Sequence, residues 1–80
     1  MEEKFTTKDL YLSAAFIALG AKYIGADKKD PRHMEFQFEK NSSVDLLAIY
    51  NAWVNGSLMV NAIDFKNAIQ QMKAVVHSDF

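Results

Sequence analysis

Two histidines and no cysteine set the limits of the chemistry this chain can carry out. Without cysteine there is no thiol catalysis and no cysteine-based metal site. A serine–histidine–acid arrangement would have to pair His33 or His77 with Ser13, Ser42, Ser43, Ser57 or Ser78. Ser42 and Ser43 sit where helix caps belong, and Ser13 lies inside an apolar helical run with no strained nucleophile turn around it. For a metal, the best constellation is His33 with Glu35 and Glu39, alternate residues that share one face of a strand. Structural zinc takes four ligands, so these three read as the solvated side of a half-buried strand. The glycines at 20, 25 and 56 are isolated, and none builds a phosphate-cradling loop ahead of a helix. The expectation is a protein that is not an enzyme and uses no cofactor and no metal.

The remaining candidates are for binding. Lys28, Lys29, Arg32 and His33 cluster where a hairpin tip is expected and could reach a phosphate backbone. Asp27 and Asp30 set two negative charges against the three positive ones, leaving about +1 with histidine neutral. The neighbouring Phe36 and Phe38 read as core, not as a platform for stacking bases. Tyr50 and Trp53 are three apart on a helix and are of the types enriched at interface hot spots. Trp53 alone also reads as ordinary core. Tyr11 has a hydroxyl that no local capping role explains, so it joins them as a candidate interface residue.

The elements that must position these residues follow from pattern. Thr6 or Thr7 caps a first helix over residues 8–19, with Asp9 completing a capping box behind Thr6. That helix is apolar nearly all round, so it is buried on most faces or buries one in a partner, and Gly20 ends it. Residues 22–26 form a short strand with Tyr23 and Gly25 on one side and Ile24 and Ala26 on the other. In residues 32–39, Met34, Phe36 and Phe38 alternate with His33, Glu35, Gln37 and Glu39, a strand with one face in the core. Asp27, Lys28, Lys29, Asp30 and Pro31 supply the turn of an antiparallel hairpin. Lys4 and Phe5 are expected to add a short strand before the first helix.

Asn41, Ser42 and Ser43 cap a second helix starting near Val44, with Asp45 in its first turn. Leu46, Ile49 or Tyr50, and Trp53 form its stripe, joined by Leu47 and Val54, and Gly56 closes it. Residues 57–60 are an extended piece that could serve as an edge strand. Asn61 caps a third helix whose Phe65, Ala68, Ile69, Met72, Val75 and Val76 make an amphipathic face, with Lys66, Gln70 and Lys73 largely off it. Fraying is expected over residues 77–80. The order is (β)-α-β-β-α-(β)-α, an α+β fold with three helices packed on a small antiparallel sheet.

Composition bounds the rest. At 80 residues, 50% hydrophobic and a formal charge of −1, residues 1–80 make a single domain that folds on its core alone. Near-neutral charge gives no global field for nucleic acid. The apolar run over residues 10–19 is about half the ~20 residues of a membrane span. The acidic start, Glu2 and Glu3, is unlike a secretory signal, so no membrane and a cytoplasmic location are expected. An apolar surplus spread over helices one and two makes a protein-interaction module the leading expectation, with self-association through helix one, helix two or a free sheet edge. A nucleic-acid-binding or regulatory protein using the hairpin tip is the alternative.

The segment Thr7, Lys8, Asp9, Leu10, Tyr11, Leu12, followed by Ala14, Ala15 and Gly20, resembles the opening of a family of small bacterial and phage proteins known as a domain of unknown function. Ser13 stands where that pattern carries its first alanine. The likeness continues through Glu35, Phe36, Gln37, Phe38 and Glu39, the close at Asn55 and Gly56, and a last amphipathic helix over residues 65–76. It implies one α+β domain and a phage or mobile-element setting, and it brings no activity, ligand or catalytic residue.

Overall fold

A computed structural model describes residues 4–30, 33–40 and 44–77, with backbone alone at 28–30 and 33. Six elements follow in the order β1 (Lys4–Thr7), α1 (Leu10–Ala18), β2 (Tyr23–Asp30), β3 (His33–Glu39), α2 (Leu46–Asn55) and α3 (Ala62–His77). The fold is α+β, with three helices and one three-stranded antiparallel sheet of order β1-β3-β2.

The central strand is β3, whose alternation dictates the two faces. Phe38 stands opposite Phe5 on one side and Tyr23 on the other, and Phe36 opposite Thr7 and Ala26. Cross-strand partners point the same way, so these rows form the core face, while Thr6, Gln37 and Gly25 share the other. Phe36 and Phe38 are buried. The expected split of β2 is corrected here. A register shift between Tyr23 and Gly25 leaves Ile24 as the extra residue, so Tyr23 and Ala26 both pack against the core and Ile24 is exposed. The strand is also longer than expected. Asp27, Lys28 and Asp30 are paired to Glu35, Met34 and His33, so ladder bonds claim the residues that read as a turn.

Against the core face lies α1. Leu12, Ser13, Ala14, Ala15 and Phe16 are all buried, and five consecutive residues sweep more than a full helical turn. No side of this stretch faces water. Phe16 meets the sheet, its ring edge-on to Phe5 at 5.2 Å and to Phe38 at 5.1 Å. On the far side α1 packs along α3, with Ile17, Ala18 and Ala68 lining a groove between the two helices. Of the two expectations for helix one, burial within the chain is the one realised.

Each helix start is set by one side chain. The N-cap of α1 is Asp9, not Thr6 or Thr7, because pairing to Gln37 and Phe36 keeps both threonines in β1. Its Oδ1 accepts from the Tyr11 N–H at 2.9 Å and the Leu12 N–H at 3.2 Å. Thr7 instead accepts from the Asp9 N–H through Oγ1 at 3.1 Å. Asp45, whose Oδ1 accepts from the Ala48 N–H, caps α2, two residues beyond the expected start. Asn41, Ser42 and Ser43 lie outside the described residues. Asn61 caps α3 as expected, its Oδ1 accepting from the Ile63 and Asp64 N–H groups at 3.0 Å. Gly20 and Gly56 end α1 and α2 at φ 95° and 74°, a left-handed backbone that glycine adopts without a Cβ penalty. Residues 57–60 form no strand. His77 closes α3 in helical conformation, and residues 78–80 lie outside the described ones.

Candidate functional site

Once α1 is covered, the exposed apolar surface gathers on the next part of the chain. Leu46 and Ile49 point into the core, and Trp53 is half-buried against it. Leu47, Tyr50 and Val54 lie on the flank of the same helix and face water. Leu47 and Val54 were expected to join the stripe of Leu46, Ile49 or Tyr50, and Trp53. At 100° per residue they fall well to one side of Leu46, Ile49 and Trp53, beyond what the sheet and α1 cover. The Tyr50 ring touches the Phe5 ring of the edge strand β1 at 5.9 Å, which anchors one side of this flank.

Beyond Gly56 the chain turns back towards α3. Trp53, Gly56, Leu58, Val60 and Phe65 line a shallow apolar groove of about 290 Å³. Met59, between two groove residues, is 85% exposed, and Ile63 in the first turn of α3 is 65% exposed. Sequence reasoning missed Met59 and Ile63. The signal that could have found them is charge: residues 46–63 contain no Asp, Glu, Lys or Arg, in a chain that is 24% charged. A surface helix ordinarily turns charge towards water, and its absence beside exposed Leu, Val and Met marks a face suited to exclusion of water.

The other sequence candidates fare as follows. Tyr11 is half-exposed in the first turn of α1 and makes no ring contact among the described residues. Tyr50 and Trp53 come together on α2, with Trp53 divided between core and groove. At the hairpin tip, Lys28 and Lys29 lie on the backbone of β2 and His33 opens β3. Their side chains, and Arg32 altogether, lie outside the described residues. Lys22, which a wider basic patch would recruit, is 3.4 Å from Glu39, at the end of the central strand, in an ion pair.

A second groove, of about 300 Å³, runs between α1 and α3 and is lined by Ile17, Ala18, Asp64, Asn67, Ala68 and Gln71. Its polar groups are one carboxylate and two amides, without a nucleophile. Ser13 is the buried polar side chain among the described residues, and its hydroxyl donates to the Asp9 carbonyl at 2.9 Å. Among the described residues no three His, Asp or Glu side chains gather as metal ligands would. No described helix is long and apolar enough to cross a membrane. Among the described residues, Tyr23 is the titrating group clearly displaced, its hydroxyl pushed up from the usual phenol range by burial.

Fold and surface together define a small α+β domain with an uncharged apolar flank. The chain belongs to the family described as Domain of unknown function (DUF5659), whose model matches residues 2–78. No curated protein and no solved structure matches it significantly.

Proposed function

We propose that this protein is a non-enzymatic interaction module that binds protein through the uncharged flank of α2 and the segment that follows. The observation that carries this reading is the coincidence of two features in residues 46–63. No charged side chain occurs there, and five large apolar ones, Leu47, Tyr50, Val54, Met59 and Ile63, stand between 39% and 85% exposed. Scattered exposed apolar residues are ordinary, but a group of this size confined to one charge-free segment marks a protein-binding face. In this reading the protein works in the cytoplasm as an accessory factor of a phage or mobile element.

Affinity capture from a lysate of the encoding organism, with and without nuclease, tests it when wild type is compared with Leu47→Glu. The expected result is a protein retained by wild type, indifferent to nuclease and lost with Leu47→Glu. Retention that disappears on nuclease treatment and survives Leu47→Glu would overturn the reading. It would point instead to nucleic acid held at Lys28, Lys29, Arg32 and His33.

A further inference from the structure

We infer that the protein seated on this face is a second copy of the chain, with two α2 helices packed antiparallel about a two-fold axis that passes beside Tyr50. The inference rests on the proposed interaction face and names its occupant.

Charge is the first argument. In an isologous contact the same patch meets itself, so any charged residue near the axis faces its own like charge. Between Asp45 and Asp64 there is none. Such a face offers nothing to steer or select a charged partner, yet it meets its own copy without repulsion.

Spacing is the second argument. Leu47 and Val54 are seven residues apart, two turns of helix, with Tyr50 between them on the same flank. Antiparallel packing therefore sets Leu47 of each copy against Val54 of the other and the two Tyr50 rings beside each other. The stripe is complementary to its own reversed image.

Area is the third. Taking about 200 Å² for a fully exposed large side chain, the five apolar residues leave roughly 600 Å² in water. Two copies that cover all five completely bury about 1,200 Å², the lower end of stable, specific interfaces. Leu47, Tyr50 and Val54 alone give about half of that. Dimerisation through this flank therefore requires the contact to reach Met59 and Ile63 as well.

Sedimentation equilibrium on the full chain, up to about 500 µM, tests the inference with four proteins: wild type, Leu47→Glu, Val54→Lys and the double variant. Both positions are more than half exposed, so helical circular dichroism and melting temperature should stay near wild type. Wild type is expected to pass from 9.1 kDa to twice that mass as concentration rises. Each single variant weakens the dimer by tenfold or more, because a charge is pressed against an apolar side chain. The double variant recovers dimerisation, since each Glu then faces a Lys across the axis. A wild type that stays at 9.1 kDa throughout overturns the inference. So does a double variant as monomeric as the single ones. If wild type is monomeric but still captures another protein that Leu47→Glu loses, the interaction face stands and only its occupant changes. If Leu47→Glu alters neither mass nor capture, both fall together.

Discussion

Replacing Phe16 by alanine strikes the point where the three layers meet. Its side chain is wholly buried, with edge-on ring contacts to Phe5 at 5.2 Å and Phe38 at 5.1 Å. Removing it leaves a cavity that the sheet cannot close, because the backbone of β3 is held by ladders on both sides. Buried Phe→Ala changes cost about 3–5 kcal/mol. Two lost edge-to-face ring pairs place this site in the upper half of that range. At roughly 0.05–0.15 kcal/mol per residue, a chain of this length has only about 4–12 kcal/mol in total. Phe16→Ala therefore removes a third of the stability or more. Urea unfolding followed by circular dichroism and Trp53 fluorescence should show a lower midpoint with an unchanged slope. A loss below about 1.5 kcal/mol would refute a central, fully enclosed α1.

Other perturbations test smaller parts of the same structure. Asp9→Ala removes the acceptor of the Tyr11 and Leu12 N–H groups and should cost about 1 kcal/mol in the same assay, more than Thr7→Ala. Gly56→Ala should cost about 1 kcal/mol, purely from backbone strain, since an added Cβ meets nothing within 4 Å at φ 74°. Gly25→Ala, equally open but without a positive φ, should be neutral or stabilise by about 0.4–1 kcal/mol. Burial raises the folded-state pKa of Tyr23 above the unfolded value of about 10, so its contribution to stability is complete below that pH. That contribution is lost as pH rises through the folded-state value. Absorbance titration should show a late-ionising tyrosine, and Tyr23→Phe should remove that late step. A late step that survives Tyr23→Phe, or no late step at all, contradicts the burial.

Where one physical cause dominates, the fold is legible in the sequence. The alternation of Met34, Phe36 and Phe38 admits only a strand with one buried face, and the spacing from Phe65 to Val76 only an amphipathic helix. Gly20 and Gly56 mark left-handed helix ends because little else tolerates that backbone. Competition between neighbours is harder to read. Thr6, Thr7 and Asp9 all suit a cap, and the choice falls to Asp9 because distant Gln37 and Phe36 claim the threonines for the sheet. The bulge at Ile24 depends likewise on the partner strand, so period-two counting put Ala26 on the wrong side. Asp27 to Asp30 have turn-forming side chains, yet pairing with β3 extends the strand through them.

The candidate site was half visible. Tyr50 and Trp53 stand out by residue type, and the structure shows that Tyr50 is exposed while Trp53 is shared between the core and the groove beside Leu58 and Phe65. Leu47 and Val54 read only as part of the helix-two stripe, because composition does not say how far the rest of an 80-residue chain can reach to cover it. Met59 and Ile63 lie outside any periodic stripe, and only the missing charge over residues 46–63 connects them to α2.

The central claim is that this charge-free flank is where the protein meets its partner, a second copy of itself. A dilution series followed by amide chemical shifts reads that claim residue by residue. The account predicts concentration-dependent shifts concentrated in residues 46–63, centred on Leu47, Tyr50 and Val54, while the polar face around Thr6 and Gln37 stays still. Shifts confined to the β2–β3 tip, or a spectrum that does not change with dilution, would contradict it.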